Sequence, residues 1–106
     1  MIDDTRLEKA VQYLVDTDAE CAKAKALVVG LEEQRKTVKS IEFLKAEGTM
    51  AEKEAIAYSS TAYREHIEKL ENATAEYETL RNRRLTASLI IEVWRTEAAN
   101  KRSGNL

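Results

Sequence analysis

The chain contains no proline, three glycines, one cysteine and six aromatic residues in 106 positions. Each scarcity narrows the fold and the chemistry. Without proline nothing in the covalent chain forces a helix to stop, and three glycines leave few places for an unusual turn. The lone cysteine, Cys21, excludes an intramolecular disulfide and suits a reducing compartment. The longest apolar run, Ala26 to Val29, is far too short to span a bilayer. The opening residues MIDDTRLEK have neither a basic n-region nor an apolar h-region, so no secretory signal is expected and a cytoplasmic location is.

What is present is helix-forming. Charged residues make up 34% of the chain and net charge is −2. A sequence built from Ala, Glu, Lys, Arg and Leu is the composition of long helices and coiled coils. Leu, Ile, Val and Phe supply only 23 residues, near the lower edge for a globular core. Stability then calls for regular helix packing or a partner chain.

Two helices are expected in a single domain, about residues 3–46 and 50–101, with a frayed tail over 102–106. Between them lie Glu47, Gly48 and Thr49. Gly48 can adopt the left-handed conformation that closes a helix C-terminus. Thr49 and Glu52 have capping-box spacing, in which each side chain satisfies an orphan amide of the other residue. So short a connection folds the helices back antiparallel, giving an all-α helical hairpin resembling a coiled coil.

Alternating steps of three and four place Ile56, Ser59, Tyr63, His66, Leu70, Ala73, Tyr77, Leu80, Arg84, Ala87, Ile91, Trp94 and Ala98 on one stripe of the second helix. His66 and Arg84 are its polar intrusions. On the first helix Leu7, Ala10, Leu14, Thr17, Cys21, Ala24, Val28, Leu31 and Val38 form the matching stripe, with drift to Ile41 and Leu44 near the turn. Two sites could break these helices. Thr17 to Glu20 is a second capping-box sequence, and Ser59-Ser60-Thr61 is a run of weak helix formers. Breaks at both would convert the hairpin into a bundle of three or four shorter helices.

No catalytic constellation emerges, and no enzyme activity, cofactor or small-molecule substrate is expected. His66 is the sole histidine, and Tyr63 occupies the place of the carboxylate in a Glu-x-x-His di-iron motif. Its ordinary role is a seam histidine hydrogen-bonded across the hairpin. Cys21 falls on the seam, where cysteine behaves as a small hydrophobe. Asp16, Asp18 and Glu20 alternate like the start of a calcium loop, but Cys21 and Leu27 occupy the positions that need Gly and Glu.

Residues 81–106 carry Arg81, Arg83, Arg84, Arg95, Lys101 and Arg102 against Glu92 and Glu97. These cations are candidates for phosphate contact with nucleic acid. The competing expectation is internal neutralisation. Antiparallel geometry places residues whose numbers add to roughly 97 opposite one another, which brings Asp3, Asp4, Glu8 and Asp16 to the basic end. The segment Leu85 to Trp94 is apolar on two faces. Ala87, Ile91 and Trp94 lie on the seam, whereas Leu85, Leu89 and Val93 form a separate stripe. A helix apolar on two faces is buried on two. A self-association surface is therefore expected from Leu85, Leu89, Ile90, Val93 and Trp94, and a homo-oligomer from it.

Two stretches resemble small helical proteins of tailed phages and prophages: Glu47 to Ala55 with Tyr58 and Tyr63, and Arg84 through Ile91 to Arg95. The resemblance covers roughly the C-terminal two-thirds and implies an accessory product of the phage early region, where recombination and replication proteins are encoded. It carries no catalytic residues. The combined expectation is a non-enzymatic, oligomeric helical accessory protein or adaptor of phage-type DNA metabolism, binding DNA or a DNA-processing protein. The alternative is a protein-interaction module, such as an inhibitor of a host protein, that binds no nucleic acid. No membrane association is expected in either case.

Overall fold

A computed structural model describes residues 1–104. It holds three helices, α1 (Asp4–Lys45), α2 (Met50–Ser59) and α3 (Thr61–Gly104), and among the described residues no strand. The chain is a helical hairpin, with α1 as one arm and α2 followed by α3 as the other. No described helix is long and apolar enough to cross a membrane.

Each end of every break has a local cause. Asp3 opens α1, its carboxylate accepting from the Arg6 amide at 2.7 Å, and Asp4 adds negative charge in the first turn. At the connection Gly48 takes φ +127°, and Thr49 caps α2 by accepting from the Glu52 amide at 3.2 Å. The reciprocal half of the expected capping box differs. Glu52 accepts from the Thr49 hydroxyl at 3.1 Å instead of from the Thr49 amide. Ser60 is extended, at φ −64° and ψ 148°, and serves both helices that meet there. Its hydroxyl donates to the Ala57 carbonyl at 2.7 Å and accepts from the Tyr63 amide at 3.2 Å. The helix expected over residues 50–101 is therefore two helices.

Two further expectations need correction. Helix α1 runs unbroken through Thr17, whose hydroxyl bonds back to the Tyr13 carbonyl at 2.7 Å and so satisfies itself without ending the helix. The expected fray after Lys101 is absent as far as Gly104. Lys101 and Arg102 in the last turn favour the negative end of the helix dipole. The remaining tail residues, Asn105 and Leu106, lie outside the described residues.

The chain divides into two compact units, one of Lys23–Tyr77 and one of Met1–Ala22 with Glu78–Leu106. In the unit around the turn, Val28, Leu31 and Val38 of α1 are half-buried, as are Tyr63 and Tyr77 of α3. His66, Leu70 and Ala73 are buried there, and Ala57 of α2 is fully so. Ile56 and Ser59, expected on the seam, are exposed. The extended Ser60 resets the helical phase, so Ala57 turns inward in their place. Ile41 and Leu44 are also exposed, while Val38, Glu42 and Phe43 are half-buried. The three–four spacing simply continues from Leu31 past Val38 to Glu42, with a carboxylate where an apolar residue was sought.

In the terminal unit Leu80 and Ala87 of α3 are buried with Ala10 and Thr17 of α1. Arg84, Ile91, Trp94 and Ala98 are half-buried on the same α3 stripe, and Leu7, Leu14 and Cys21 on that of α1. Both cores are thin. Among the described residues Leu70 and Leu80 are the only large aliphatic side chains in the buried set, the rest of the apolar members being alanine. Full burial of each leucine contributes about 1.5–3 kcal/mol.

Candidate interaction surfaces

The two polar seam residues are engaged inside the hairpin. His66 is 8% exposed, and its Nε2 lies 2.6 Å from the Leu31 carbonyl oxygen. A carbonyl only accepts, so Nε2 carries the proton. Arg84 donates through Nη1 to the Leu14 carbonyl and to the Thr17 hydroxyl, each at 2.8 Å, and through Nη2 to Asp18 at 3.0 Å. Its guanidinium fork suits this three-way contact, and the charge is held between helices.

Arg84 is thereby removed from the expected phosphate-binding set, because its donors point into its own chain. Two others have partners on their own helix: Arg81 with Glu78 at 3.5 Å and Arg95 with Glu92 at 3.1 Å. Arg83, Lys101 and Arg102 make no ion pair among the described residues. The acids expected to neutralise this end do other things. Asp3 caps α1, Asp16 accepts from Gln12 at 2.7 Å, and Asp4 accepts from the Trp94 indole N–H at 3.4 Å. Glu8 makes no ion pair among the described residues. The acid that meets Arg84 is Asp18, which the sequence reading did not assign. Its position one residue beyond Thr17 on the α1 seam was the available signal.

The expected self-association segment separates into two parts. Trp94 and Ile90 are half-buried against α1 in the terminal unit. Trp94 is bound to Asp4, and Ile90 shares a shallow apolar depression with Ala10, Tyr13 and Ala87. Leu85, Leu89 and Val93 remain on the outer face of α3, 50%, 64% and 44% exposed. Three large aliphatic side chains in successive turns of one helix thus lie in water.

A second surface, in the unit around the turn, escaped the sequence reading. An open cleft of about 860 Å³ lies between α1 and the returning arm. Arg35, Lys36, Lys39 and Phe43 line it from α1, Met50, Glu54 and Tyr58 from α2, and Tyr63 from α3. Lys39 organises its centre. The ammonium donates to the Tyr58 hydroxyl at 2.7 Å and to Glu54 at 3.0 Å, and lies 4.0 Å from the Tyr58 ring centre. The Tyr58 hydroxyl first, and the Glu54 carboxylate second, hold the Lys39 ammonium above its ordinary pKa. The Tyr58 ring meets Tyr63 edge to face at 5.3 Å and 87°. Half of the chain's six aromatic residues, Phe43, Tyr58 and Tyr63, gather here, and that clustering around the turn was the signal available in the sequence.

No family model, curated protein or solved structure matches this chain. Its surfaces therefore carry the functional argument alone.

Proposed function

We propose that the protein is a non-enzymatic helical interaction module that assembles with a second copy of itself through the outer face of α3. The observation that carries this reading is the stripe of Leu85, Leu89 and Val93, at least 44% exposed at each position. The hairpin seam already has its apolar residues, so this stripe adds nothing to the fold of one chain. Burying it against another chain would recover roughly 1.5–3 kcal/mol for each fully covered side chain. A repeated patch along one helix suits a two-fold contact, in which the same face serves both copies. The binding role also agrees with the state of His66 and Cys21. One is buried and bonded to a backbone carbonyl, and the other is a half-buried free thiol on the α1 seam. Light scattering on the whole chain tests the proposal, and a monomer at tens of micromolar would overturn it.

A nucleic-acid accessory role, the setting implied by the resemblance to phage proteins, is the second reading. It rests on Arg83, Lys101 and Arg102, which keep their charges unpaired among the described residues. With Arg84 held internally the basic end is weaker than its composition suggests. Titration of a mixed-sequence duplex at low salt, where phosphate attraction is strongest, decides it.

A further inference from the structure

The cleft beside the turn combines fixed aromatic groups, exposed apolar groups and unpaired cations. We propose that it is a docking site for an acidic amphipathic helix of a partner protein. Leu44, which also lines it, and Met50 are 80% and 75% exposed, after Met1 the most exposed large apolar side chains among the described residues. Flexible methionine and rigid tyrosine beside arginine are the residues enriched where proteins bind one another. Tyr58 is set in place before any partner arrives, because Tyr63 holds its ring and Lys39 its hydroxyl. Little conformational freedom is then lost on docking.

Charge selects the partner. Glu54 neutralises Lys39 at 3.0 Å. Arg35 and Lys36, on the same wall, have no carboxylate within ion-pair distance among the described residues, so the cleft presents net positive charge. A helix with aliphatic residues at i, i+3 or i+4, and i+7 would place them on Phe43, Leu44 and Met50. Carboxylates beside that stripe would meet Arg35 and Lys36. Two other occupants fit less well. A phosphate backbone would leave the apolar wall uncovered, and two cations release few counterions. A second copy docked cleft to cleft would set two net-positive surfaces against each other.

The test uses a fluorescently labelled peptide of about four helical turns, leucines along one face and glutamates on the other, titrated with the full chain. Saturable binding is expected, weakening about tenfold or more in R35E/K36E and comparably in Met50→Glu. All of these side chains are exposed, and circular dichroism verifies that the variants fold. Leu89→Glu, on the surface assigned to self-association, should leave peptide affinity unchanged, so failure of one proposal is distinguishable from failure of the other. The proposal is overturned by no binding at low salt, by equal binding of a peptide with lysine in place of glutamate, or by equal binding of a scrambled sequence. It is also overturned if a mixed-sequence duplex binds in its place through Arg35 and Lys36, or if R35E/K36E shifts the oligomeric state.

Discussion

Arg84 donates to the backbone carbonyl of Leu14 at 2.8 Å. That carbonyl lies on the opposite helix of the terminal unit, so an arginine in the middle of an apolar stripe joins the two arms. The companion contact in the unit around the turn is His66 on the Leu31 carbonyl at 2.6 Å. In both, a long polar side chain reaches an oxygen with a spare lone pair on the facing helix. Among so many alanines these contacts fix stagger as well as adding stability.

The contribution of Arg84 is expected to come from its buried partners. Asp18 is 81% exposed, and a pair with one partner in water contributes little. Leu14 and Thr17 are half-buried and buried. Arg84→Ala is expected to destabilise the chain by about 1–3 kcal/mol in urea unfolding, and Asp18→Ala by less than about 1 kcal/mol. Arg84→Lys should recover only part of the loss, since an ammonium cannot reproduce the fork. Equal losses for Asp18→Ala and Arg84→Ala would contradict this division.

The turn offers two separable effects. Thr49→Ala removes the cap on α2 and is expected to cost about 0.5–2 kcal/mol. Gly48→Ala would put a Cβ 2.7 Å from Glu52 Oε2, a contact relieved by rotating that flexible side chain. The φ of +127° is not relieved, and strain of about 1–3 kcal/mol should persist even in a Gly48→Ala/Glu52→Ala background. Thermal unfolding of the three variants measures both.

Leu89→Glu places a charge at the centre of the exposed α3 stripe with almost no change in helix propensity. The variant is expected to keep its circular dichroism spectrum while light scattering reports a smaller species than the wild type. An unchanged mass would mean that the stripe does not mediate assembly.

Lys39 should titrate above the ordinary lysine value of 10.5, followed through its side-chain carbon resonance. Tyr58→Phe removes the larger cause of the shift and should move the titration back toward the ordinary value of 10.5, with Glu54→Gln doing less. A raised folded-state pKa stabilises the fold below the unfolded value, and that contribution fades as pH rises through the raised one. Lys39→Met should therefore be less stable than the wild type at neutral pH, with the difference shrinking as pH rises through the raised Lys39 value.

Local chemistry wrote the helices into the sequence. Gly48 and Thr49 mark a turn whatever surrounds them, and the three–four spacing from Tyr63 to Ala98 names the buried face because an α-helix repeats every 3.6 residues. The phase of α2 was less legible. Ser59-Ser60-Thr61 advertised weak helix, but only the extended conformation of Ser60 turned Ala57 inward and Ile56 outward. Tertiary structure alone decided which acid meets Arg84, and it gathered Arg35 and Phe43 with Tyr58 into one cleft. Charged side chains are long enough to reach several partners across a hairpin, and sequence spacing leaves those choices close in energy. Relative rotation and stagger of the packed helices remove the degeneracy, and Arg84 turns to Asp18, leaving Asp3 to cap its own helix.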